Sequence, residues 1–371
     1  MLTNKDSSRI FGLDLMRAIA ILMVVFGHCV WVVPERDNFL YQLLAPSGFF
    51  GVEIFFVLSG FLIGKILYQL YLNSDFSLAT VLHFLKRRWY RTLPNYFLVL
   101  VLNLAIASFV GYAALSWWKY FFFLQNLHST MLPFFPESWS LSVEEFAYIL
   151  LPFFILMVGF LFKPIHKARF FLSIVLVLIA VFLCTKLYYH FNGAATNITQ
   201  WNLSLKAVVI YRLDSIFIGV LCSWIYFNFK SPWEKYKVLI MGIGMALFFF
   251  QFFIIGYLGW VFETNPLLWN VFYLPLLSVA VACFLPFLSE WKSRGLLIEK
   301  PIVFVSKVSY SMYLLHYSIV LLLMKQYIPF DAQDAFEVNI FILGYFTITL
   351  VLSYLLYRFY ELPLMNLRDK N

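Results

Sequence analysis

The stretch "DLMRAIAILMVVFGHCV" (residues 14–30) sets an Asp, an Arg and a His into an otherwise apolar run. An ionisable side chain at the centre of a bilayer costs about 2.5–3.5 kcal/mol, so three polar groups here demand partners or a purpose. Helical geometry groups them. Arg17 and His28 are eleven residues apart, which at 3.6 residues per turn leaves them within about 20° on one face and about 16 Å apart along the axis. Asp14 lies close to that face, three residues before Arg17, where the two can pair. The three form one polar stripe that must face a bundle interior or a water-filled cavity.

The rest of the chain agrees with a membrane setting. Of 371 residues, 63% are hydrophobic and only 12% charged, against about 25% charged in water-soluble domains. Ten apolar spans of bilayer length are read at about 10–33, 48–72, 93–115, 143–162, 170–189, 207–228, 238–256, 267–288, 308–327 and 338–360. The expected fold is therefore all-α, a polytopic membrane bundle of about ten helices. Residues 1–371 read as a single transmembrane domain with no separate soluble domain. The first apolar run continues to about Val33 without a small-residue cleavage site, so it reads as an uncleaved membrane helix.

The net charge of +8 does not point to nucleic acid, because the basic residues fall in short clusters between apolar blocks. With both termini inside, 19 of the 27 Lys and Arg residues fall on the inner side and 5 on the outer. This predicts an N-in, C-in topology. The four cysteines, Cys29, Cys184, Cys222 and Cys283, all sit in apolar runs without a paired spacing. Neither a disulfide framework nor a metal site is expected.

Further polar residues recur at the membrane. Glu53 enters the second span at its outer end, among Gly48, Gly51, Gly60 and Gly64, which thin the helix for close packing. In "HFLKRRWYRTLPNYF" (83–97), Arg87, Arg88 and Arg91 crowd the inner rim, either as topology and lipid-headgroup contacts or as a phosphate clamp. Pro94 then suits the first turn of the third helix. The aromatic outer loop 116–142 is expected on or in the membrane surface, with Trp117, Trp118 and Trp139 as an interfacial belt. Ser140 or Ser142 can cap the fourth helix, with Glu144 and Glu145 in its first turn. Arg212 and Asp214 lie just inside the sixth helix, and His316 sits near the middle of the ninth, as a satisfied core group or as a ligand. Arginines on the inner rim and carboxylates with a histidine in the outer half suit a phosphate-bearing donor from inside and an acceptor from outside.

These segments, in order, resemble the acyltransferase 3 family, integral-membrane O-acyltransferases that modify envelope sugars. The likeness rests on "LDLMRAIAILMVVFGH", "FFGVEIFFVLSGFLI", "RRWYRTLPNY", "FLQNL", "WSLSVEEFAYILLP", "YRLDSIFIGVL", "VSYSMYLLHY" and "YRFYELP". Glu53 stands where the family pattern has Asp, Glu137 where many members have His, and Ala147 where they have Phe. The resemblance implies an acyl-CoA donor, acetyl-CoA in the simplest case, with no bound cofactor. It implies a saccharide acceptor, a multi-pass place in a bacterial inner membrane, and essential roles on Arg17 and His28, with Glu144 a further candidate. On that reading the CoA phosphates dock on Arg87, Arg88 and Arg91 and His28 is the general base. Glu53, Trp139, Arg212, Asp214 and His316 serve substrate binding. The rival from the residues alone is a transporter or flippase for a glycan precursor or small anion, which would favour inverted repeats with broken helices. No such repeat is visible.

Overall fold

The computed structural model describes residues 9–33, 39–73, 75–193, 195–292, 295 and 297–368. Lys5, Arg36, Arg294 and Lys370, which enter the topology count, lie outside them. Among the described residues the chain is helical and has no strand. Nine helices among them are long and apolar enough to span a membrane: α1 (Phe11–Trp31), α2 (Phe39–Asn73), α3 (Leu78–Val110), α4 (Pro136–Phe162), α5 (Lys167–Asn192), α7 (Lys237–Tyr257), α8 (Leu268–Leu288), α9 (Glu299–Tyr327) and α10 (Ala335–Leu367). A shorter apolar helix, α6 (Leu213–Asn228), lies between α5 and α7. The protein is a polytopic helical bundle, as the spans predict.

Helix α2 is the axis of that bundle. Its apolar window is 72% buried, against 17% for α7 and 22% for α10, which face outward. Glycines make its central place possible. A Cβ built on Gly60 would stand 2.0 Å from the Ile216 carbonyl oxygen of α6, and one on Gly219 would stand 2.1 Å from the Val57 oxygen of α2. On the other flank, a Cβ on Gly51 would meet the Ala20 oxygen at 2.6 Å, and one on Gly27 would meet the Gly48 nitrogen at 2.3 Å. Backbone-to-backbone contact of this kind replaces the hydrophobic driving force that lipid removes between membrane helices.

Several boundaries differ from the sequence reading. Helix α3 begins at Leu78 rather than near residue 93, so Arg87, Arg88 and Arg91 belong to a helix and Pro94 lies inside it, not at its first turn. The actual N-cap is Ser77, which accepts from the Thr80 N–H at 3.4 Å. Charged residues at 86–91 hide this start, because an apolar-window reading stops where the arginines begin. Helix α4 likewise starts before Trp139, through a 3-10 turn at Pro136–Ser138. Ser140 and Ser142 are therefore helical, not caps, and Glu144 and Glu145 lie beyond the first turn.

The aromatic loop before α4 folds inward more than it lies on the surface. Trp117 and Trp118 stay about half exposed, as a belt requires, whereas Trp139 is 8% exposed. Trp139 packs edge-on against Phe56 at 5.8 Å, which removes it from the belt. Gln125 and Asn126 are buried and tie the loop to the bundle: Gln125 donates to Ser142 Oγ (2.7 Å), and Asn126 donates to the carbonyls of Trp139 (3.0 Å) and Ala207 (2.6 Å).

Gly60→Ala should force α2 and α6 apart at a cost of about 1–3 kcal/mol, read as a lower thermal midpoint of the detergent-solubilised protein. Gly242→Ala, which faces open space, should leave the midpoint unchanged.

Candidate active site

The polar stripe of α1 splits into two sites. At its start, Asp14 is buried and holds three donors. Arg9 binds it through two bonds (2.6 and 3.0 Å), Ser306 of α9 donates at 2.6 Å, and Arg17 pairs with it at 3.3 Å. Arg17 also donates to Ser306 Oγ at 3.1 Å. The expected Asp14–Arg17 pair is present and fixes the guanidinium rather than spending it at the surface.

Arg17 lines a cavity of about 100 Å³ that also presents Arg88, Arg91, Glu144, Ser59, Ser140 and Tyr313. Arg88 and Arg91 are three positions apart and share the inner face of α3, while Arg87 is exposed on its flank. Arg88 is held on several sides. It donates to Tyr148 OH (2.5 Å) and Ser59 Oγ (3.4 Å), pairs with Glu144 (3.5 Å), and stacks over the Tyr148 ring at 4.3 Å. Tyr148 donates in turn to Glu144 at 2.6 Å. Glu144 therefore belongs to the arginine cavity rather than to His28. The neighbouring Glu145 accepts from Trp89 (3.0 Å) and Thr92 (3.1 Å).

The second site lies at the far end of α1. His28 meets His316 of α9 with ring centroids 4.7 Å apart, and the Tyr317 ring packs on His28 at the same distance. His28 Nδ1 is 2.8 Å from the Val24 carbonyl oxygen and 3.3 Å from His316 Nε2. The structure thus brings together two residues 288 positions apart that the sequence presents as separate.

Between the sites stands a row of hydrogen bonds. Ser140 and Tyr313 meet at 2.5 Å, Tyr313 OH donates to the Glu137 carbonyl at 2.9 Å, and the Glu137 carboxylate accepts from the Ser318 N–H (3.0 Å) and hydroxyl (2.5 Å). Beyond it opens a second cavity of about 450 Å³, bounded by Val110, Phe135, Ser318 and Lys325 among others. The sequence reading marks Glu137 only as a departure from the family pattern and passes over Ser59, Tyr148 and Tyr313. Hydroxyls in apolar helices are the available signal, but their partners lie on other helices.

Three further expected site residues sit apart from both histidines. Glu53 is fully buried and pairs with Arg212, and it also accepts from Ser278. Asp214 is fully buried and pairs with Lys186 at 2.5 Å. Lys186, one of the five Lys and Arg residues assigned to the outer side by sequence, is thus an interior residue of α5. Lys206 holds its ammonium over the Trp139 ring at 5.3 Å. Burial, with Arg212 as a nearby like charge, pulls its amine down to about 8.

Fold and site define a multi-pass helical membrane protein with an arginine-lined interior cavity and a histidine pair, His316 fully buried and His28 partly so. A family model described as an acyltransferase domain matches residues 10–358, and the chain belongs to that family. It is 26% identical over 380 residues to the O-acetyltransferase OatA of Staphylococcus aureus strain NCTC 8325, covering 95% of this chain and 57% of that protein. OatA of strains COL and MRSA252 matches to the same extent. The chain spans a little over half the length of these relatives. No solved structure matches.

Arg212→Met should leave Glu53 buried without a counter-charge and cost about 3–5 kcal/mol, seen as a large fall in thermal midpoint. Replacing both partners, Glu53→Leu with Arg212→Met, should recover much of that loss.

Proposed function

We propose that the protein is a membrane O-acyltransferase that moves an acyl group, acetyl in the simplest case, from acyl-CoA to a hydroxyl of a cell-envelope or exported saccharide. The observation that carries the reading is the convergence of Arg17, Arg88 and Arg91 on one interior cavity, on the α1 face that leads to His28. Guanidinium forks suit phosphate oxygens. Arg88 and Arg91 act from inside the cavity and Arg87 from its exposed flank. The donor enters from the cytoplasm in an N-in, C-in protein of the bacterial inner membrane, and the acceptor approaches from the opposite face. The names of the relatives and the positive-inside charge bias support this arrangement.

In the transfer step, His28 takes the proton of the acceptor hydroxyl as its oxygen attacks the thioester carbonyl carbon. The C–S bond breaks, the CoA sulfur leaves and takes up a proton, and an ester forms. Histidine is the side chain that most often serves as a general base in such a step. Acyl transfer is favoured over transport because the family is one of acyltransferase domains.

His28→Ala should lower transfer by about 10²–10⁴-fold, the usual contribution of a general base, with unchanged membrane insertion. Arg91→Gln should raise the KM for acyl-CoA by about tenfold or more, the loss of a charge-assisted hydrogen bond. Both are measured as acyl transfer from labelled acyl-CoA to saccharide in nanodiscs. Mass spectrometry of envelope glycans from a deletion strain then identifies acyl group and acceptor by the missing mass. Full activity of His28→Ala, or saccharide movement without any need for acyl-CoA, would overturn the reading.

A further inference from the structure

We infer that His316 is a positioning residue for His28: its Nε2 accepts the Nδ1–H of His28 and keeps Nε2 of His28 as the unprotonated nitrogen. This rests on the acyl-transfer reading above, which makes His28 the base.

Two backbone carbonyls mark the protonated nitrogen of each ring, and the Val24 contact holds only while His316 keeps the His28 ring in this rotamer. A carbonyl can only accept, so the 2.8 Å contact from His28 Nδ1 to the Val24 oxygen puts a proton on that nitrogen. The 2.8 Å contact from His316 Nδ1 to the Tyr313 oxygen does the same for His316. In neutral imidazoles, Nε2 of each ring then carries a lone pair. One arrangement uses all three contacts: His28 Nδ1–H is shared between the Val24 carbonyl and His316 Nε2, 3.3 Å away. His316 is fully buried, and among the described residues its Nε2 has no other hydrogen-bond partner. The near-perpendicular rings, 73° apart, let the lone pair in the plane of one meet the N–H of the other.

The position of His316 is itself built. It opens a π-helical turn, His316–Leu321, inside α9. Such turns insert a residue into a helix and occur often at functional sites. Glu137 pins this one from the aromatic loop by accepting both the N–H and the hydroxyl of Ser318. The second imidazole nitrogen of a working histidine is usually held by an orienting partner. Here that partner is another histidine, so the pair bears no net charge and needs no counter-ion in the bilayer.

The test compares His316→Leu with His316→Gln in the full chain in nanodiscs, because the Gln amide oxygen can take the place of Nε2 and accept the His28 proton. Activity is read as kcat and as KM for acetyl-CoA, and the His28 tautomer from nitrogen-15 histidine NMR. His316→Leu should lower kcat about 10–100-fold, as loss of an orienting partner does, with KM for acetyl-CoA unchanged and His28 in mixed tautomers. His316→Gln should keep the tautomer and most of the kcat. Should His316→Leu not fold, His316→Phe carries the same comparison. A parental tautomer and kcat in the apolar variant would overturn the inference. So would equal loss in both variants together with a lower thermal midpoint, which marks a structural role. If His28→Ala still transfers acyl groups, the acyl-transfer reading fails by itself, whereas the NMR comparison still decides the tautomer.

Discussion

Desolvation governs this bundle. A charge moved out of water costs several kcal/mol unless a counter-charge and donors meet it at contact distance, and most of the paired interior charges here are met in that way, whereas Glu137 and Glu145 are met by neutral donors. Asp14 is held by Arg9, Arg17 and Ser306, Glu53 by Arg212 and Ser278, Asp214 by Lys186, and Arg88 by Glu144 and Tyr148. Each pair joins different helices or fixes a helix end, so pairing also sets helix register. Close packing does the rest. The glycines of α2 let it run against α1 and α6 with backbone in contact, and the paired side chains lie on those same three helices and their neighbours.

Much of this is legible in the sequence because it is local or periodic. Ten apolar spans, the shared face of Arg17 and His28, the Asp14–Arg17 pair and the packing role of the α2 glycines all follow from spacing along a helix. Helix ends are harder to place. Leu78–Arg91 of α3 mixes basic with apolar residues, and a hydropathy window cannot see a helix that leaves the lipid. Trp139 is misread because a tryptophan suits an interface and a core equally well, and only the inward fold of loop 116–142 decides between them.

The partner of each interior charge is the least legible feature. Glu53 and Arg212 are 159 residues apart, and His28 and His316 are 288 apart. No short-range pattern links such residues. Glu144 shows the same limit. Its height along the membrane suggests a place beside His28, but the rotation of α4 turns it to Arg88. Depth follows from counting residues, whereas azimuth follows only from packing.

A bundle with polar cavities at both ends has an electrical problem, since a continuous wet path would short the membrane potential. The row Ser140–Tyr313–Glu137–Ser318 stands where such a path would run. Its hydroxyls and carbonyl are spent on one another, and it is backed by the buried ring of Phe135. Among the described residues one oxygen of the row, Glu137 Oε2, is left without a partner. The partition ties α4 to α9 between the two cavities, so a path from one to the other has to part hydrogen-bonded side chains first.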